Sequence, residues 1–120
     1  MGRGSVEVTD ESPGVAVARL VGEHDILSSD RLATVLRGLL EEGRSVVVDL
    51  GETSFLDSGG LRALFAAARA AAAHEQRLVL QVTPGDTVHR VLEVSGLTAT
   101  LPSARTRAEA LTLARGHPAP

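Results

Sequence analysis

A chain of 120 residues, 43% hydrophobic and 22% charged, has the size and composition of one globular domain with a real core. A net charge of −3 and an aromatic content limited to two phenylalanines argue against a nucleic-acid or anionic-membrane surface, because neither phosphate attraction nor base stacking is available. The absence of cysteine excludes disulfides, thiol catalysis and cysteine-based metal sites.

In chain order, Ser5-Val6-Glu7-Val8-Thr9 alternates polar and apolar residues with the period of a strand that buries one face, as at a sheet edge. Asp10-Glu11-Ser12-Pro13-Gly14 is a turn signal. Val15–Val21 then reads as a second strand, hairpin-paired with the first and ended by Gly22-Glu23-His24-Asp25. Ser28 or Ser29 is suited to cap a helix with Leu32, Val35, Leu36, Leu39 and Leu40 on one face, stopped by Gly43. Val46–Leu50 is a β-branched apolar run, the signature of a strand buried on both faces, and a helix between two strands implies a right-handed parallel crossover.

The segment after Leu50 is mostly polar and turn-forming, with the apolar pair Phe55-Leu56 expected to anchor it inward behind Thr53 and Ser54. A helical pattern resumes at Leu61 and runs to about Glu75, with Leu61, Leu64, Phe65 and Ala68 as its apolar stripe. Arg77–Val82 is a fourth strand and Thr83-Pro84-Gly85-Asp86 a turn. Asp86 or Thr87 caps a short helix ended by Gly96. Thr98–Leu101 reads as a fifth, edge strand, and Ser103 as the cap of a last helix holding Ala104, Ala108, Leu111 and Leu113. The expected architecture is α/β: one domain over residues 1–120, core about 5–115 with a frayed tail over 116–120, and a mixed four- to five-stranded sheet packed with about four α-helices. Met1–Ser5 leads straight into a strand pattern, and the apolar stretch Ala63–Ala73 is interrupted by Arg69 and short for a bilayer. No signal peptide, no membrane partner, no direct nucleic-acid partner and a cytoplasmic location are therefore expected.

A strand-to-helix loop opens at the carboxyl edge of a sheet, where α/β domains place their sites. Here it presents Asp57 and Ser58 before the pair Gly59-Gly60. Ser58 is suited to cap the helix by accepting an unpaired backbone N–H, and it is also the exposed hydroxyl of the loop; the two roles are compatible. Asp57 is a second cap or turn residue, or part of a partner-facing surface. Glu23 and Asp25, in the loop after an adjacent strand, approach the same edge or are solvated loop acids. Arg62 is a helix charge near enough to Ser58 to join an interface.

Enzyme readings fail on their requirements. Asp57-Ser58-Gly59-Gly60 has the local pattern of the nucleophile segment in trypsin-like proteases, but the chain is too short for their double barrel. Leu56 stands where a nucleophile elbow needs glycine. None of His24, His74 and His89 comes with an evident serine–base–acid arrangement, and His117 is in the tail. The histidines lack ligand spacing, and no Gly-x-x-x-x-Gly-Lys loop is present. No catalytic residue, no metal and no cofactor is expected.

Three elements together resemble a known family: Gly22-Glu23-His24-Asp25, Val46–Leu50 followed by Ser54-Phe55-Leu56-Asp57-Ser58-Gly59-Gly60-Leu61, and Val91-Leu92-Glu93-Val94-Ser95-Gly96-Leu97. They are similar to the STAS domain of bacterial anti-sigma factor antagonists, over nearly the whole chain. The resemblance implies a STAS-like fold and a protein that is not an enzyme. It implies that Ser58 is phosphorylated by a partner that is both serine kinase and anti-sigma factor, a histidine-kinase-like ATPase. The unphosphorylated form binds that partner and releases the sigma factor, and a metal-dependent serine phosphatase resets the serine. Asp57, Gly59, Gly60, Asp25, Glu23 and Arg62 are then the partner-binding residues. Gly59 stands where the family often has serine or threonine. The runner-up is a STAS scaffold without a phosphorylation cycle, or a lipid-transport complex subunit.

Overall fold

The computed structural model describes residues 4–24 and 26–116. Its element order is β1 (Ser5–Ser12), β2 (Val15–His24), α1 (Ile26–Glu41), β3 (Ser45–Leu56), α2 (Ser58–Ala73), β4 (Leu78–Gln81), α3 (Thr87–Ser95), α4 (Leu97–Thr100), β5 (Ser103–Ala104) and α5 (Arg107–Arg115). The strands form one five-stranded sheet in the order β1-β2-β3-β4-β5. The β1–β2 pair is an antiparallel hairpin and the other pairs are parallel. Gly14 turns the hairpin at φ 80°, a conformation that costs a residue with a Cβ but not glycine.

Period-two alternation along β3 explains the layers. Val46, Val48 and Leu50 face α1 and α2 with Leu32, Leu36, Leu40 and Leu64, while Val47 faces the opposite side with Val15, Val17, Val79 and the α5 residues Ala110 and Ala114. The reading of a strand buried on both faces therefore holds, and the sheet lies between two helical layers. Asp49 shares the α5 face and is buried: its Oδ2 accepts from Arg107 Nη2 at 2.6 Å and its Oδ1 from Gly51 N at 2.9 Å. Arg107 Nε also donates to Gln81 Oε1 at 2.9 Å, so this one side chain ties α5 to two strands.

Several boundaries differ from those expected. Helix α1 starts at Ile26, ahead of both Ser28 and Ser29; a cap preference of about 1 kcal/mol is local and yields where more residues can join the helical ladder. Strand β2 continues through Gly22-Glu23-His24 instead of ending there, and β3 continues past Leu50 to Leu56, because these two stretches pair with each other. Thr98–Leu101 is not a strand: Leu97–Thr100 is the single helical turn α4, with Leu97 buried, bringing the helices among the described residues to five. The edge strand is Ser103–Ala104, and the cap of the last helix is Thr106, whose Oγ1 accepts from Glu109 N at 3.1 Å, not Ser103.

Candidate functional site

The polar segment after Leu50 is strand, and its two irregularities shape the site. Against β2, one extra β3 residue is accommodated between Asp49 and Glu52 and another between Thr53 and Phe55. Each bulge shifts the inward–outward alternation by one residue. Thr53 points inward, and its Oγ1 donates to Leu20 O at 2.8 Å. After the second bulge Leu56 takes the next buried position and Phe55 remains 49% exposed. The expected inward anchoring by Phe55-Leu56 is thus correct for Leu56 only. Glu23 pairs with Phe55 across the two strands and is exposed. Asp25 lies outside the described residues.

One residue, Asp57, separates β3 from α2. Its backbone is extended, with φ −93° and ψ −171°, and its Oδ1 accepts from Gly59 N at 2.9 Å and Gly60 N at 3.1 Å. Asp57 is the helix cap; the expectation that Ser58 caps α2 is overturned. A carboxylate one residue before the helix can take two orphan N–H groups at once and places negative charge at the positive end of the dipole. Ser58 is consequently the first helical residue. It is exposed, and its hydroxyl has no hydrogen-bond partner among the described residues.

Gly59 and Gly60 are buried under this cap, and their N–H groups are the ones that Asp57 holds. Arg62 is exposed and stands four residues after Ser58, so the two side chains are neighbours on one helix face. Arg62 and Gly59 line a cleft of about 330 Å³ between α1 and α2, walled on the α1 side by Asp30 and Ala33. The fold therefore brings Asp57, Ser58 and Arg62 to one surface, with Gly59 and Gly60 buried beneath it and Phe55 and Glu23 on the adjoining strands. Sequence reading missed Phe55 as an exposed residue and Asp30 and Ala33 as a wall. No local signal marks the α1 wall, because it is created by helix packing. The bulge was signalled only by the polar pair Thr53-Ser54 ahead of Phe55. No group of three or more His, Asp or Glu residues capable of holding a metal occurs among the described residues. No helix among them is long and apolar enough to cross a membrane.

Comparison with known proteins agrees with this architecture. The family model described as "Mlab, STAS domain" matches residues 7–103. A curated protein of Bordetella bronchiseptica, BtrV, which carries the name of an anti-sigma factor antagonist, is 31% identical over 100 residues, covering 82% of this chain and 84% of its own. The crystal structure of an anti-sigma factor antagonist from Mycobacterium paratuberculosis superposes with a TM-score of 0.82 at 26% identity, over 93% of this chain and 94% of that one. The anti-sigma factor antagonist SpoIIAA in its unphosphorylated form gives 0.79 at 25% identity, over 96% and 100% of the two chains. The Bacillus SpoIIAA in its phosphorylated form shares the fold, with a TM-score of 0.71 at 23% identity, over 91% of this chain and 98% of that one.

Proposed function

The chain belongs to the STAS-domain family of anti-sigma factor antagonists, and on that premise we propose that phosphorylation of Ser58 switches its partner binding. Unphosphorylated, it binds an anti-sigma factor that is also a serine kinase, a histidine-kinase-like ATPase, and so releases a sigma factor in the cytoplasm. Phosphorylated, it lets that partner go until a metal-dependent phosphatase removes the group. The domain itself is a substrate and a binding module and catalyses nothing. SpoIIAA, with which it shares its fold, is known in an unphosphorylated and a phosphorylated form, and the proposal extends that pair of states to this chain.

The observation that carries this reading is the exposed Ser58 hydroxyl on the first turn of α2, immediately after the Asp57 cap and without a hydrogen-bond partner among the described residues. A kinase reaches such a hydroxyl without unfolding the helix, since capping is already done by another residue. A phosphate there adds roughly −1.5 to −2 charges. The helix dipole and Arg62, one turn on, favour those charges, while Asp57 opposes them. The fold is thus indifferent to the group. A partner packed on Phe55, Asp57, Gly59, Gly60, Glu23 and Arg62 is not, because burying a doubly charged, strongly hydrated group without a matching cation is costly.

The test is incubation with the candidate kinase and ATP, followed by intact mass and a phosphopeptide map. One added phosphate on Ser58, absent from Ser58→Ala, is the expected result. Phosphate on Ser54 or Thr53, or none at all, would overturn it.

A further inference from the structure

Strands β2 and β3 run parallel, and bulges between parallel strands are uncommon. The first bulge of β3 nevertheless governs everything beyond it. The register passes from Arg19 opposite Asp49 to Val21 opposite Glu52, leaving Leu20 without a partner on the β3 side. Asp49 and Glu52 therefore face the same side of the sheet, although an unbroken strand puts residues three apart on opposite sides. Arg19 registers the effect: it stands opposite Asp49, and its guanidinium pairs with Glu52.

Two side chains hold this irregularity. Gly51 N, inside the bulge, donates to Asp49 Oδ1 at 2.9 Å. Thr53 Oγ1 donates at 2.8 Å to the carbonyl of Leu20, the residue that the bulge leaves unpaired toward β3. Asp49 is itself fixed from outside the strand: Arg107 Nη2 holds its Oδ2 at 2.6 Å, so the two carboxylate oxygens have separate partners. Residue 51 is glycine where a Cβ would crowd Asp49 Oδ1 at 3.2 Å. The buried ion pair is thus an orienting contact, through which α5 aims a carboxylate at a backbone N–H of β3.

We propose that Asp49 is a positioning residue for Ser58: by accepting the Gly51 N–H it sets the register of the strand segment that carries Phe55, Asp57 and Ser58. The proposal rests on the reading of Ser58 as phosphoacceptor. Without that acceptor the Gly51 N–H is satisfied by returning to the strand ladder, and the segment beyond it slips by one residue. Such a slip moves the chain by about 3.3 Å and exchanges inward and outward side chains. Phe55 then turns inward, Leu56 turns outward, and Ser58 leaves the place to which the present register brings it. Phosphoryl transfer depends on placement to within about 1 Å, so a hydroxyl displaced this far is a poor acceptor even in a folded domain.

The experiment compares two double variants of the whole chain, Asp49→Asn/Arg107→Leu and Asp49→Val/Arg107→Leu. Both lack the ion pair, and only the first keeps an acceptor for Gly51 N. The valine variant should melt no lower than the asparagine variant, because it buries no polar group. Its kcat/KM for phosphorylation on Ser58 by the candidate kinase should nevertheless fall at least about tenfold, while the asparagine variant stays within about threefold of the parent. A defect confined to the variant that melts no lower is one that lost stability cannot produce. Cross-strand contacts in NMR need no kinase: Val21–Glu52 and Gly22–Thr53 should persist with asparagine and shift to Val21–Gly51 and Gly22–Glu52 with valine. Equal kinetic losses in both variants, or the parent contacts retained in the valine variant, would overturn the proposal. A parent chain that takes no phosphate on Ser58 would sink the phosphoacceptor reading instead, and the strand contacts would still decide whether Asp49 sets the register.

Discussion

The Asp57 carboxylate closes the first turn of α2 and leaves the hydroxyl of Ser58, the next residue, outside the capping arrangement: Asp57 Oδ1 lies 2.9 Å from Gly59 N and 3.1 Å from Gly60 N. The helix start and the proposed modification site are therefore adjacent but separate. A cap must hold still, and an acceptor must be reached. Under the proposed phosphorylation, dividing the tasks between two residues would let the surface change charge while the helix stays wound.

Stability should follow the same division. Asp57→Ala removes the acceptor for two N–H groups and is expected to cost about 0.5–2 kcal/mol. Ser58→Ala removes no bond among the described residues and should stay within about 0.5 kcal/mol of the parent. Urea denaturation of both variants checks this. An Ser58→Ala loss as large as that of Asp57→Ala would reassign the cap.

Phosphorylated and unmodified protein should melt at nearly the same temperature, because Arg62 and the helix dipole offset the repulsion from Asp57. Affinity for the kinase partner should fall by at least roughly tenfold, about 1.4 kcal/mol. Arg62→Ala should lower the melting temperature of the phosphorylated form more than that of the unmodified one. Unchanged affinity on phosphorylation, or an equal Arg62→Ala effect in both forms, would count against a local switch.

Phe55 is 49% exposed three residues before Ser58, and its neighbour across the strands, Glu23, is exposed too. An interface centred on Ser58 would desolvate this ring and gain from its burial. Phe55→Ser should weaken the partner complex by about 1–2 kcal/mol while changing fold stability less, since much of the ring already meets solvent. Affinity by titration and stability by melting separate the two effects, and a loss confined to stability would remove Phe55 from the interface.

On the sheet's second face, Arg107→Ala strips Asp49 of its cation and leaves a carboxylate whose side chain is 10% exposed, with Gly51 N as its remaining partner among the described residues. A loss of about 1–3 kcal/mol is expected in urea. The double variant Asp49→Val/Arg107→Leu should recover part of it, since apolar replacement removes the desolvated charge along with its partner. Failure of the double variant to recover anything would mean that the pair contributes through geometry that apolar residues cannot supply.

Periodicity and residue type alone determined that Val15–Val21, Val46–Leu50 and the core of β4 are strands, that Val46–Leu50 is buried on both faces, and that Leu32, Leu36, Leu40 and Leu64 enter the core. These properties are local: a buried strand needs a run of apolar residues and an amphipathic helix needs its stripe, whatever lies elsewhere in the chain. That a helix starts at the Asp57-Ser58 pair was likewise legible, though not which of the two residues caps it. Tertiary structure decided the rest. Only pairing with Gly22–His24 converts the polar segment after Leu50 into strand, and only the bulge in that pairing turns Phe55 outward and Leu56 inward. Leu97–Thr100 became a helical turn rather than an edge strand, with Leu97 buried in the core. Asp49 lies within the apolar run Val46–Leu50, and its partner Arg107 is brought to it by α5 from 58 residues away. The physical reason is common to these cases. Register, bulges and buried ion pairs depend on a partner surface supplied by distant residues, and no local propensity encodes which surface will arrive.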